Sequence, residues 1–211
     1  MFRHILILAL VLGTAASGAV AQRIETALVA GGCFWCVESD FRRVEGVTDV
    51  IVGYAGGHTE DPTYNAVTRG GTGHLEVAQI SFDAEQVSYA QILHLFMRSI
   101  DPLDDGGQFC DRGESYTTAI FATPEQQAEA RAAVERASTE LGQPVVTPVR
   151  DIARFWPAEE YHQGYPFSSE LVLTRFGPLT RAQAYRRYRA ACGRDERVRA
   201  IWGDDAPFAN R

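Results

Sequence analysis

The feature that most constrains this chain is the junction "VAGGCFWCVESDF", residues 29–41, in which a strand runs into a helix that begins on two cysteines. Residues 24–30 form a short, mostly apolar run of the kind found in buried strands, and a glycine pair ends it. Gly46 stops the helical pattern that follows, whose apolar positions are Phe34, Val37, Phe41 and Val44. Cys33 and Cys36 therefore lie in the first turn of a helix that directly follows a strand.

The rest of the chain alternates predicted strands and helices irregularly, without repeats or linkers. The further predicted strands are 48–54, 74–83, 116–122 and an edge strand at 144–152. The further predicted helices are 88–99, a helix that starts on a capping box at 123–126 and ends at 141, a short turn at 157–165, and the arginine-rich 180–192. Long glycine-rich loops precede Glu76 and Tyr116. The pattern predicts one α+β domain, a mixed sheet flanked by helices, over residues 22–211, with a helical tail from about residue 179.

The first 21 residues predict a secretory signal peptide and not part of the fold. Arg3 and His4 precede a short apolar run at 5–12, and Ala19-Val20-Ala21 has the small-x-small ending of a cleavage site. The run is too short to span a bilayer, and no later segment is apolar enough to do so. We therefore expect an exported protein, periplasmic or extracellular, with no membrane span.

Charge narrows the possible partners. The chain has 20 basic and 27 acidic residues, a net charge of −7, which becomes −8 when Arg3 is removed with the leader. Nucleic acids and anionic lipids require a basic stripe, so neither is an expected partner. No exposed apolar seam is evident, and a monomer is expected.

The local cysteine pair suits chemistry better than cross-linking. Four cysteines in an oxidising compartment allow three pairings, but a Cys33–Cys36 bridge would close too short a loop to stabilise the fold much. A cysteine at a helix start is near free N–H groups and the positive end of the helix dipole, which favour the thiolate. Cys33 is therefore the predicted nucleophile, and Cys36, one turn later, the predicted resolving thiol.

Other interpretations of the pair are weaker. A zinc site needs a second cysteine pair or a spaced histidine pair, and the sequence has neither, so no metal is assigned. An inert buried pair is an unusual occupant of a helix start after Gly-Gly. A thioredoxin-like disulfide exchanger shares the motif but needs a longer lead-in before it. A non-catalytic module that binds methionine peptides with Phe34 and Trp35 is the alternative from another functional class.

A set of motifs resembles one known family. The motifs "GCFWC", "GYAGG", "DPTY", "GHLEV", "DRGESY" and "PAEEYHQ" occur in order between Val29 and Gln163, as in the A type of peptide methionine sulfoxide reductase. The resemblance implies that fold and the reduction of the S epimer of methionine sulfoxide, free or in proteins. It also implies recycling by an external dithiol such as thioredoxin, with no bound cofactor.

The resemblance also assigns roles to individual residues. Cys33 is the nucleophile, Phe34 and Trp35 form the apolar wall around the substrate methyl group, and Glu76 is the acid. The polar side of the site is completed by Tyr64, Asp111 and Tyr116.

These roles agree with the chemistry of a sulfoxide. Its sulfur is a poor electrophile unless its oxygen is protonated or strongly hydrogen-bonded, so a thiolate must face an acid. Glu76 can donate near neutral pH only if burial raises its pKa. Without the family, Glu76 would more readily be interpreted as a solvent-facing strand residue than as a catalytic acid.

The chain departs from the family pattern in two places. "DRGESYTT" keeps Asp111, Gly113 and Tyr116 of the usual motif but changes the residues between and after them. Many relatives carry resolving cysteines in the tail, whereas Cys36 here occupies a position that is often glycine. Cys110 and Cys192 form either a structural bridge or a second relay, and export favours the bridge.

Overall fold

A six-stranded mixed sheet forms the centre of the computed structural model, which describes residues 22–209. Its strands, in spatial order, are β7 (Val149–Asp151), β6 (Thr118–Ala122), β1 (Ile24–Gly31), β3 (Leu75–Asp83), β2 (Val47–Ala55) and β8 (Trp156–Pro157). Two short hairpins lie outside it: β4 (Gly107–Gln108) with β5 (Asp111–Arg112), and β9 (Leu171–Thr174) with β10 (Gly177–Thr180). Only β6 and β7 pair in parallel within this sheet, and β7 lies at its edge, as Pro148 predicted. The predicted mixed sheet is confirmed.

Six α-helices flank the sheet within the described residues. They are α1 (Phe34–Phe41), α2 (Tyr64–Arg69), α3 (Tyr89–Met97), α4 (Gln127–Leu141), α5 (Arg181–Ala191) and α6 (Arg194–Trp202). The main core lies where α3 and α4 cover one face of the sheet, and Val29, Ile80 and Phe96 are fully buried there. α1 also packs on β2 and β3, which holds its first turn against the end of β1.

The helix boundaries differ from the predicted ones for local reasons. α1 ends at Phe41, before Gly46, because turn hydrogen bonds such as Val44 N–H to the Phe41 carbonyl (3.0 Å) replace helical ones. α4 begins at Gln127, although the Gln126 side chain does accept a hydrogen bond from the Thr123 N–H (3.2 Å). Its predicted stop at Gly142 is confirmed, since this glycine is a left-handed C-cap.

The sequence patterns missed α2 and misjudged the tail. α2 is six residues long and buries only Val67, so it has no apolar periodicity to detect. The predicted helical tail from about residue 179 is two helices, because Gly193 adopts a left-handed φ of 66° between α5 and α6. The second helix packs into the main core through Val198 and Trp202.

The predicted signal peptide, residues 1–21, lies outside the described residues. Within 22–209, every helix is either too short or too polar to cross a bilayer.

Candidate active site

The junction between β1 and α1 presents the two thiols. Gly32 adopts a left-handed φ of 75°, and a Cβ there would lie 2.4 Å from the Gln108 Cβ, so a larger residue would clash. Cys33 follows as the N-cap of α1 and is half-buried, while Cys36, one turn on, is 7% exposed. The predicted placement of the cysteine pair is confirmed.

Glu76, on the central strand β3, is aimed at the same junction. It is 2% exposed, and its Oε2 accepts a hydrogen bond at 3.0 Å from the N–H of Phe34, the residue that follows Cys33. Burial raises the pKa of the Glu76 carboxyl to about 8, with a further rise from Asp111 against the opposing effect of the Phe34 hydrogen bond. The carboxyl is therefore mostly protonated at pH 7, as the chemistry of a sulfoxide requires.

Two tyrosines and Asp111 border the carboxyl. Tyr64 is the first residue of α2, and its hydroxyl lies close enough to that of Tyr116 for the two to interact. Burial raises the pKa of Tyr64 to about 12 and raises that of Tyr116 further, so both hydroxyls remain donors. Burial also raises the pKa of Asp111, against the opposing charge of Arg194.

One cavity of about 450 Å³ collects these groups. Its lining includes every candidate site residue from the sequence: Cys33, Phe34, Trp35, Cys36, Tyr64, Glu76, Cys110, Asp111, Tyr116 and Cys192. Residues from α1 and its N-cap, α2, β3, the β4–β5 hairpin and the tail therefore meet around one opening. A thiol and a neutral carboxyl in a shared, mostly apolar cavity can bind and protonate a small dipolar substrate.

A sequence model of the family described as peptide methionine sulfoxide reductase matches residues 25–204. The chain belongs to this family. Peptide methionine sulfoxide reductase MsrA 2 of Rhizobium meliloti is 48% identical over 187 residues, which are 88% of this chain and 87% of that protein. The present protein is therefore an oxidoreductase that acts on methionine sulfoxide, and we refer to it below as the reductase.

Solved structures of the family share the fold. Methionine sulfoxide reductase A of Corynebacterium diphtheriae aligns with a TM-score of 0.63 and 31% identity, covering 67% of this chain and 73% of that chain. Mxr1 of Saccharomyces cerevisiae in reduced form aligns with a TM-score of 0.65 and 30% identity, covering 69% and 84%. The predicted family and fold class are confirmed.

The pKa of Cys33 is raised, whereas its position at a helix start predicted a lowered pKa. Its hydrogen bond with Cys36 and its burial raise the pKa of Cys33 well above the usual range. The carboxyls of Glu76 and Asp111 add to this rise. The helix dipole alone predicts the opposite direction, but the hydrogen bond with Cys36 and burial outweigh it.

Cys36 faces charges of the opposite sign. The hydrogen bond from Cys33, with help from Arg194 and Arg189, lowers the pKa of Cys36 to about 6 against the opposing effect of burial. Both arginines come from the tail. The arginines therefore favour negative charge on Cys36, while the carboxyls near Cys33 disfavour it there.

Cys110 and Cys192 are bonded to each other, which fits the predicted bridge. Their Cα atoms lie 5.0 Å apart, and the bond joins the β4–β5 loop to the C-cap of α5 across 82 residues. Both sulfurs lie within 4.8 Å of a carboxylate oxygen of Asp111. A cysteine ligates a metal as a thiolate, so this bonded pair offers no such ligands.

Several residues that support the reductase site were missed by the sequence-based assignment. Glu159 accepts hydrogen bonds from the Tyr54 hydroxyl and the Tyr64 N–H, both at 2.9 Å, and so fixes the start of α2. His162 is 2% exposed and packs on the Phe34 ring at 5.1 Å between centroids. Tyr54, Tyr64, Glu159 and His162 lie in the motifs "GYAGG", "DPTY" and "PAEEYHQ", but the motifs assigned no role to Tyr54, Glu159 or His162.

Tyr165 completes the aromatic wall. Its ring stacks on Trp35 at 3.9 Å with an interplanar angle of 10°. Phe34, which is 1% exposed, lies behind Trp35 at the centre of the aromatic cluster. Trp35 and Tyr165 therefore form the more accessible part of the apolar wall.

Proposed function

We propose that this reductase acts on the S epimer of methionine sulfoxide, in proteins or free, with Cys33 as nucleophile and Glu76 as acid. The observation that carries the proposal is the shared cavity, in which the half-buried Cys33 and the neutral carboxyl of Glu76 meet beside an aromatic wall. The A-type motifs and the relatives named MsrA support the choice of epimer.

The substrate side chain is half apolar and half dipolar. Phe34 and Trp35 contact its methyl group, while Glu76 and the hydroxyls of Tyr64 and Tyr116 hydrogen-bond to its oxygen. These donors strengthen as the oxygen gains negative charge, because the cavity excludes most water. Asp111 completes the polar side.

The first step moves the oxygen atom from the substrate to Cys33. The Cys33 sulfur attacks the sulfoxide sulfur and forms an S–S bond to the substrate. The protonated oxygen then transfers to the Cys33 sulfur as the substrate S–O bond breaks, and the S–S bond breaks, so that methionine leaves and Cys33 becomes a sulfenic acid. The thiol proton of Cys33 passes to the neighbouring Cys36 thiolate as Glu76 protonates the oxygen. One thiol and one sulfoxide give one sulfenic acid and one thioether, so the atoms balance.

The second step resets the nucleophile. Cys36 attacks the sulfenic sulfur of Cys33, and water leaves as the Cys33–Cys36 disulfide forms. An external dithiol of the thioredoxin class then reduces this disulfide.

We place the enzyme outside the cytoplasm, which is supported by its signal-like first 21 residues and by the Cys110–Cys192 bridge.

A comparison of wild type with Cys36→Ser, on separated S and R sulfoxides of a blocked methionine, tests this proposal. Both proteins are expected to release about one methionine per enzyme from the S epimer without reductant. The variant then accumulates sulfenic acid, which dimedone traps, and its steady-state rate with thioredoxin falls at least about tenfold because no intramolecular thiol resolves it.

The R epimer and an insulin-reduction assay serve as controls for this experiment. Equal consumption of both epimers, or insulin reduction without methionine release, would contradict the proposal. If Cys36→Ser turned over with thioredoxin as fast as wild type does, Cys110 or Cys192 would be the resolving thiol instead.

A further inference from the structure

The charge of the chain is distributed unevenly. Residues 171–194 contain six arginines and no aspartate or glutamate, a charge of +6, so the remainder of the chain carries −13. This segment forms the β9–β10 hairpin, α5 and the start of α6. Such an asymmetry indicates an interaction surface when the charges are exposed and unpaired.

Three of the six arginines are used inside the protein. Arg189 pairs with Asp40 at 2.9 Å and with Asp195 at 2.7 Å. Arg194 is 2% exposed and donates to a backbone carbonyl, and Arg181 pairs with a glutamate. These three hold the tail in place.

The other three form what we call the basic rim: Arg175, Arg186 and Arg187. All three are exposed, and within residues 22–209 none of them makes an ion pair. Free guanidinium groups of this kind are available to an outside carboxylate.

The basic rim is continuous with the mouth of the active-site cavity. Arg175 and Tyr188 line that cavity, and the Arg175 guanidinium lies 5.2 Å from the centre of the Tyr188 ring. Phe176 extends the surface outward, with Arg175 4.8 Å and Arg187 5.7 Å from its ring centre. Arg186 and Arg187 also line an adjoining groove with Phe176.

Two contacts fix the position of the basic rim relative to the cavity. The Cys110–Cys192 bridge ties the end of α5 to the loop that carries Asp111. Trp35 stacks on Tyr165, whose ring lies beneath the Arg181 guanidinium at the start of α5. A polypeptide whose side chain enters the cavity must therefore continue past a surface with a fixed positive charge.

We propose that the basic rim recognises acidic side chains that flank the oxidised methionine in polypeptide substrates. This inference rests on the proposed function and adds a substrate preference to it. Carboxylates are the expected partner because guanidinium groups bind them through paired hydrogen bonds, and the acidic remainder of the protein surface repels them elsewhere.

The test uses short blocked peptides with a central S methionine sulfoxide and acidic, neutral or basic flanking residues. Dithiothreitol is the reductant, so docking of a reductant protein does not contribute. The readout is the ratio of kcat/KM for each peptide to that for N-acetylmethionine sulfoxide amide, which carries no charge. Wild type is expected to favour the acidic over the neutral peptide by about 2- to 5-fold at low salt, and to lose the preference in high salt.

Variants assign the preference to the rim. In the Arg175→Gln/Arg187→Gln double variant, the preference for the acidic over the neutral peptide is expected to fall to about 1. Arg175→Lys keeps the charge and is expected to retain most of the preference. Arg131→Gln is the matched control, because Arg131 is exposed on α4 and lines neither the cavity nor the groove. Its ratio is expected to equal that of wild type.

Three results would overturn the proposal. They are equal values for the acidic and neutral peptides in wild type, a preference that survives in the double variant, and, in a parallel assay with thioredoxin as reductant, an effect of the variants confined to the KM for thioredoxin, which would assign the rim to the reductant. Failure of wild type to reduce the uncharged reference would overturn the proposed function itself, and the two failures are thus distinct.

Discussion

Replacement of Cys33 by serine is expected to lower kcat/KM for the S sulfoxide by about 10⁴-fold or more, as removal of a catalytic nucleophile does in other enzymes. Serine matches cysteine in shape, so the N-cap of α1 and the cavity are preserved. Its hydroxyl does not ionise at neutral pH and cannot carry the oxygen as a sulfenic acid. The measurement is methionine release with dithiothreitol in excess.

The matched control is Cys36→Ser, which keeps the nucleophile and loses the thiol that resolves it and accepts its proton. Thermal unfolding of both variants within a few degrees of wild type shows that the fold is intact. The comparison is decisive because Cys36, and not Cys33, has the lowered pKa of about 6. If Cys33→Ser kept more than about a hundredth of the activity, the more acidic thiol would be the nucleophile and the assigned order would be wrong.

Glu76→Gln is expected to slow the reaction by about 10²- to 10³-fold, the usual contribution of a positioned general acid. Glutamine fills the same volume and can still accept the Phe34 N–H bond, but it has no acidic proton to give to the sulfoxide oxygen. Wild-type activity should fall as the pH rises through about 8, where Glu76 loses its proton. The variant should lack this alkaline limb, and a limb that persists in it would assign the acid to another group.

The same substitution is expected to stabilise the fold at high pH. The pKa of Glu76 is raised from 4.5 to about 8 on folding, so between these values the folded state binds a proton that the unfolded state has lost. The contribution of Glu76 to the free energy of unfolding therefore decreases as the pH rises from 4.5 to 8. Urea unfolding is measured for both proteins at pH 5 and pH 8.5. From the lower to the higher pH, the free energy of unfolding of Glu76→Gln should increase relative to that of wild type by about 1–3 kcal/mol.

Local sequence signals explain which elements were predicted. The junction of β1 and α1 follows from apolar runs, helical spacing and a glycine pair, all within 20 residues. The elements that were missed lack such signals. α2 has a single buried residue, and the tail divides at Gly193 within a polar, arginine-rich run whose helical propensity continues on both sides.

The candidate site shows the same division. The motifs and the positions of the four cysteines gave ten candidate residues, and all ten line the cavity. The residues that support them were not assigned, because Glu159 and Tyr165 act on Tyr64 and Trp35 through contacts that span many residues of sequence. A hydrogen bond across 95 residues has no local periodicity to reveal it.

By itself the sequence determined the α+β class, the cysteine pair at a helix start and the chemistry of a thiol facing an acid, because these depend on residue type and short-range spacing. Only the tertiary structure brings together the charged groups that act on the two thiols. Glu76 and Asp111 lie near Cys33, while Arg189 and Arg194 come from the far end of the chain to face Cys36. A pKa depends on the charges that surround a group in space and on its burial, and folding sets both.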